Sequence, residues 1–124
     1  MPEKVRITVG TLTLEGQLND TKTARTIHAT LPIRGRVNTW GNEIYFSVPL
    51  ELEIENGKEV VETGDIGYWP DGPSLCVFFG TTPKSRGNEI RAASPVTIVG
   101  KISGDTSALK TIRSGNEIII EEIG

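Results

Sequence analysis

The sequence predicts an all-β domain, and three observations predict it. Fourteen glycines and seven prolines in 124 residues break the chain into short elements joined by many turns. Apolar and polar residues alternate with period two in runs such as Val5 to Val9 and Thr11 to Leu18, the pattern of half-buried strands. Turn strings separate such runs: Gly41-Asn42, Asn56-Gly57 and Pro70-Asp71-Gly72-Pro73. A chain of this length makes one domain, residues 1 to 124, whose core needs no disulfide or metal.

Taken in order, Val5 to Val9 and Thr11 to Leu18 read as an opening hairpin about Gly10. Asn19-Asp20 is a good N-cap pair, and the following TKTARTIHATL spaces Ala24, Ile27 and Leu31 along one helical face. Four threonines weaken that helix intrinsically, so it depends on packing against a sheet, and Pro32 ends it. Arg36 to Val48 then reads as a hairpin with a two-residue Gly41-Asn42 loop. Its register sets Trp40 opposite Glu43, Thr39 opposite Ile44, Asn38 opposite Tyr45, Val37 opposite Phe46 and Arg36 opposite Ser47. One face carries Val37, Ile44, Phe46 and Val48; the other carries Arg36, Asn38, Trp40, Glu43, Tyr45 and Ser47. Two readings of that second face stay open, an ordinary polar exterior with two packed aromatics or a binding face.

Leu50 to Ile54 alternates with Glu51 and Glu53 and suits an edge strand with its charges outward. Ile66 to Trp69 and Leu75 to Phe79 form a second hairpin, bringing Tyr68, Trp69, Leu75, Phe78 and Phe79 together either as core or as ligand-facing groups. Thr81 to Ser94 reads as a long loop whose Lys84, Arg86 and Arg91 are either solvated charges or, with converging backbone donors, an anion site. Pro95 to Ser103 restores the strand pattern, Asp105 caps a short helical turn through Ile112, and Asn116 to Ile123 is the closing strand. GNEI recurs at Gly41, Gly87 and Gly115, but its unequal spacing makes it a strand-entry turn rather than a repeat.

Charge and motif content remove whole classes of function. The net charge of −3 comes from interspersed acids and bases with no basic stripe, which argues against nucleic acid as a partner. Cys76 is the single cysteine and lies in an apolar strand, so a buried, inert thiol is expected. There is no leader and no apolar run approaching the ~18 residues of a membrane span, which leads to a soluble cytoplasmic protein with no membrane partner. No Ser-His-Asp set, phosphate loop, metal cluster or dinucleotide fingerprint is present, so neither cofactor nor metal is expected. His28 is read as a packed helix residue, Asp65 as a turn former, and Glu43 as the only carboxylate on the candidate face.

Several strings, in order, resemble the cyclophilins, which are peptidyl-prolyl isomerases. KTARTIHATL resembles their Lys-Thr-Ala helix start, GDIGYWPDGP their Gly-x-Leu-Ser-Met-Ala-Asn-x-Gly-Pro segment, and CVFFG their Ser-Gln-Phe-Phe-Ile. VTIVGKISGD resembles their Val-Val-Phe-Gly-Lys-Val strand, and EIIIEEIG their closing strand. Through WGNEIYF and YWPDGPSLCVFFG the chain more closely resembles the small prokaryotic cyclophilin-like family of unassigned function. The resemblance implies a closed cyclophilin-like β-barrel of about eight strands with one or two short helices and a ligand groove on the outer face.

In the isomerases an arginine polarises the prolyl nitrogen, weakening the amide resonance behind a barrier of ~20 kcal/mol. By resemblance Arg36 is the first candidate for that role and Arg34 the second. Phe79 matches the second phenylalanine of the family's pair, Val77 stands where the isomerases carry a pocket glutamine, and Trp69 stands where they carry alanine. Their Phe-His-Arg and Gln-Gly-Gly-Asp strings are absent around Arg36, and Thr81 to Val96 contains no counterpart of their later tryptophan-leucine and histidine pocket residues. The reading that results is a small-ligand or peptide-binding module, taking a small molecule or a proline-containing peptide. Its site residues are Arg36, Asn38, Trp40, Glu43, Tyr45, Trp69, Val77 and Phe79, with a prolyl isomerase of degenerate site as the alternative.

Overall fold

The structure is a computed structural model that describes residues 3 to 123. Among the described residues it has ten strands and one α-helix: β1 (Glu3–Val9), β2 (Leu12–Leu18), α1 (Lys22–Thr30), β3 (Ile33–Arg36), β4 (Asn38–Thr39), β5 (Glu43–Ser47), β6 (Lys58–Val61), β7 (Asp65–Trp69), β8 (Ser74–Phe78), β9 (Ile90–Ser103) and β10 (Glu117–Glu122). The strand order is β3-β10-β1-β2-β9-β7-β8-β5-β4, with β6 attached to β9 alone. The all-β expectation therefore stands as a mostly β chain. Hydrogen bonds do not close the sheet into a barrel: its two end strands, β3 and β4, are joined through Val37 in the chain and not by a ladder.

The opening hairpin forms as its alternation predicts. β1 and β2 pair antiparallel around Gly10, whose positive φ of 57° suits glycine. Val5, Ile7 and Val9 all point into the core. The helix begins one cap later than the Asn19-Asp20 pair suggests. Thr21 accepts the Ala24 N–H at 3.0 Å, while Asn19 Oδ1 accepts from the Thr21 N–H and hydroxyl, so Asn19 holds the capping residue. Ala24 and Ile27 are buried and Leu31 packs beside them, which is the sheet contact that a threonine-rich helix requires.

The Gly41-Asn42 hairpin keeps its predicted register only near the turn. Asn38 pairs with Tyr45 and Thr39 with Ile44, and the Trp40 N–H donates to the Glu43 carbonyl at 2.9 Å. Arg36 and Val37 leave it: β3 pairs with β10, setting Arg36 opposite Glu117, and the Val37 N–H donates to the Asn116 carbonyl. One stretch of chain thus serves two sheet edges in turn, which no pattern within it announces. The close approach of Phe46 to Gly35, where a Cβ would stand 2.8 Å from the ring, marks the bend.

Two further expectations are corrected. Leu50 to Ile54 is not a strand, because side chains rather than a neighbouring strand take up its backbone groups. The Tyr68 hydroxyl donates to the Leu50 carbonyl (2.7 Å) and accepts from the Leu52 N–H (3.0 Å). The Glu55 N–H donates to Thr97, and the Glu55 carboxylate accepts from the Lys22 and Thr23 N–H groups at the start of α1. Tyr68→Phe is expected to cost about 1–3 kcal/mol in urea unfolding, since both partners of the hydroxyl lose their hydrogen bond.

The second correction concerns Thr81 to Ser94, whose end is the first part of β9. The last part of β9 lies between β2 and β7, while its start turns away to pair with β6, Ile90 opposite Val61 and Arg91 opposite Val60. This β6/β9 ribbon packs on the outer face of the sheet and buries Val61, Ile90, Ala92 and Val96 against Cys76 and Phe78. Pro95 and the surrounding charges hid the strand. Among the described residues, no helix is long and apolar enough to cross a membrane.

Candidate ligand-binding site

β8 is buried on both faces, and its alternation sorts the aromatic residues. Leu75 and Val77, followed by Phe79 beyond the strand, join the main core with Ile44, Phe46 and Tyr68. Cys76 and Phe78 point the other way. β5 pairs alongside with Tyr45 opposite Cys76 and Glu43 opposite Phe78, so those side chains share that outer face. Trp40 is presented at the β4–β5 turn and Trp69 at the end of β7. Gly67 lets Val96 pack closely on this face: a Cβ there would stand 3.1 Å from Val96 and 3.5 Å from Phe78.

The result is a pocket of about 210 Å³ lined by Trp40, Glu43, Tyr45, Trp69, Cys76 and Phe78 on the sheet side and by Ala92, Ala93 and Val96 on the ribbon side. Trp69 lines this pocket with its ring held in place. The indole N–H donates to the Ser94 hydroxyl at 2.6 Å, and that hydroxyl donates to Asp71 at 2.7 Å.

Glu43 is the chemically distinctive residue. Its side chain is buried among apolar groups, with the Cys76 thiol as its hydrogen-bond partner. Burial pushes the Glu43 carboxyl up to about 7, opposed only in part by the Cys76 hydrogen bond. Burial, and after it the charge of Glu43, pushes the Cys76 thiol well above its ordinary value, which keeps it a protonated donor and an inert nucleophile.

Four of the eight residues anticipated from sequence meet here: Trp40, Glu43, Tyr45 and Trp69. The other four do not. Val77 and Phe79 have the opposite parity on β8 and fill the main core. Arg36 follows β3 to β10, where its guanidinium, 69% exposed, donates to the Gly115 carbonyl (2.9 Å) and faces Glu117 (3.7 Å). Arg34, on the same strand, is exposed opposite Ile119, and Asn38 is exposed on β4. The residues missed were Cys76 and Phe78, whose apolar neighbours on both sides concealed the parity, and Ala92, Ala93 and Val96, of which the two alanines lay in the supposed loop.

Two of the three loop cations, Lys84 and Arg91, are committed to neighbouring acids, and none of the three lines the pocket. Arg91 pairs with Glu89 (2.5 Å) and Glu59 (2.8 Å), while Lys84 bonds Glu59 (3.4 Å) and the Ala93 carbonyl (2.8 Å). These pairs tie the start of β9 to β6 beside the pocket. Among the described residues, no group of three His, Cys, Asp or Glu side chains is placed to hold a metal ion.

The model of the cyclophilin-like family matches residues 3–121. The chain belongs to the cyclophilin-like family. A chain of known solution structure, a hypothetical protein from Archaeoglobus fulgidus, is 37% identical, with a TM-score of 0.84 over 98% of this chain and 95% of that one. No curated protein matches. Membership of this family agrees with the end-to-end resemblance of the sequence and with a function that has not been assigned.

Proposed function

We propose that this cyclophilin-like chain is a binding module that receives a small organic ligand, or one side chain of a peptide, in the pocket between Trp40, Glu43, Tyr45, Trp69 and Phe78. The observation that carries the reading is the buried Glu43 carboxyl in a pocket otherwise walled by apolar and aromatic groups. A carboxyl in such surroundings costs stability, and an apolar pocket with one polar anchor is the usual make-up of a ligand site. At about 210 Å³ the pocket suits a small molecule or a single side chain rather than an extended peptide. A prolyl isomerase draws no support from Arg36, whose guanidinium is engaged at β10 and does not line the pocket.

Amide-resolved NMR titration with a small-fragment set and with a proline-containing peptide tests this. Binding is expected to shift the signals of Glu43, Tyr45, Cys76 and Phe78 and the Trp40 and Trp69 indoles, without faster cis–trans exchange of the peptide. Trp40→Ala is expected to weaken binding by about tenfold or more while leaving the fold intact. Shifts gathered around Arg36, with catalysed exchange lost in Arg36→Ala, would restore the isomerase. A second reading, an enzyme using Glu43 as its acid or base, is favoured by one observation, the carboxyl's position near 7. Its sign is chemical conversion of a bound fragment that Glu43→Gln abolishes.

A further inference from the structure

We infer that the pocket selects a small organic cation, an alkyl-substituted ammonium group either free or at the end of a side chain. The inference rests on the binding reading above and adds the chemical class of the ligand. Four aromatic side chains, Trp40, Tyr45, Trp69 and Phe78, line one pocket with one acid, and the remaining lining residues are Cys76, two alanines and a valine. Aromatic walls attract a cation through the ring quadrupole, and they do so best when water is excluded. An alkylammonium spreads its charge over carbon-bound hydrogens and needs no array of directed acceptors, which this pocket does not supply.

Other ligand classes fit less well. An anion would meet the Glu43 carboxylate with no free cation in the lining, since Lys84 and Arg91 are engaged by Glu59 and Glu89. A neutral amide or sugar needs several directed donors and acceptors, yet the Trp69 N–H is already given to Ser94 and the Cys76 thiol to Glu43. A hydrocarbon would leave the ionised acid buried with the Cys76 thiol as a hydrogen-bond partner but with no opposite charge, the costly arrangement. An ammonium group meets both halves of the lining: the rings hold its alkyl surface and the carboxylate offsets its charge.

Choline and 3,3-dimethylbutan-1-ol make the decisive pair of probes, because they share a shape and differ in whether nitrogen or carbon stands at the branched centre. At pH 8, NMR titration of the full chain is expected to show choline binding in the pocket at least about tenfold more tightly than the neutral alcohol. The preference should weaken at pH 5.5, where Glu43 takes up a proton; the other titratable groups lining the pocket are Cys76 on β8 and Tyr45 on β5. Glu43→Gln keeps the shape and is expected to reduce the preference severalfold while the alcohol still binds, the remainder being that of the rings, and Trp40→Leu should weaken choline more than the alcohol. Equal binding of the two probes, or tighter binding of the alcohol, overturns the cation inference and leaves the binding module standing. No binding by either probe overturns the inference; if the fragment set also fails, the binding reading falls with it.

Discussion

Glu43→Gln is expected to make the chain more stable above pH 7 and to change it little below pH 4.5. The folded carboxyl titrates at about 7 against an ordinary value of 4.5, because ionisation inside the apolar pocket is opposed by lost hydration. Between those values the folded state holds a proton that the unfolded state has released, so stability falls as the pH rises through the interval. Above about 7 both states are ionised and the full penalty, about 3 kcal/mol, remains; below 4.5 both are protonated and it vanishes. Urea unfolding of the two proteins at pH 4.5, 6 and 8 isolates this group, since every other titration is common to both. A difference that does not grow with pH would mean that the carboxylate is well hydrated. The same substitution is expected to reduce cation preference, so stability and binding move in opposite directions, as they do where a site keeps a costly group for its function.

Gly100→Ala is expected to be the most damaging small substitution in the sheet. At this position β9 runs between β2 and β7, with Gly100 opposite both Leu18 and Ile66. A Cβ would stand 2.3 Å from the Gln17 carbonyl oxygen and 3.2 Å from the Leu18 Cα, and neither is the movable end of a side chain. Gly16 is tight from the other side, with its Cβ position 2.8 Å from the Lys101 carbonyl oxygen. Relief requires β2 and β9 to separate where their ladder holds the two halves of the sheet together. The expected cost is about 3 kcal/mol or more, at the upper end for an overpacked site. Gly87→Ala is the control: φ is +62° but no atom lies within 4 Å of the new carbon, so only backbone strain of about 1 kcal/mol is expected. Chemical unfolding of both variants checks the contrast, and equal losses would refute the steric account.

The elements that the sequence predicted well are those whose signals are local. The β1–β2 hairpin, α1, the β7–β8 hairpin and β10 each carry their alternation, cap or turn within a few residues. The site was half legible for the same reason. Trp40, Glu43 and Tyr45 share a face because the two-residue turn sets their register, and Trp69 alternates with the buried Tyr68. β3 escaped because Ile33 to Arg36 contains nothing that favours Glu117 over Ser47 as the partner of Arg36. The opening of β9 escaped because Pro95 and three loop cations outweighed a short apolar pattern, and the ion pairs that hold it involve Glu59, 32 residues from Arg91.

By itself the sequence determined the β-rich class, the family resemblance and the faces of the β1–β2 and β4–β5 hairpins near their turns, all set by turn chemistry and side-chain alternation over short distances. The parity of β8 was beyond it. Leu75 to Phe78 is apolar on both sides, so alternation carries no sign, and only packing of the main core against one face and of the β6/β9 ribbon against the other sends Val77 inward and Phe78 to the pocket. The acidity of Glu43 was beyond it as well. A glutamate next to a turn is ordinarily solvated, and this one is held near neutrality because strands distant in the chain close over it and exclude water.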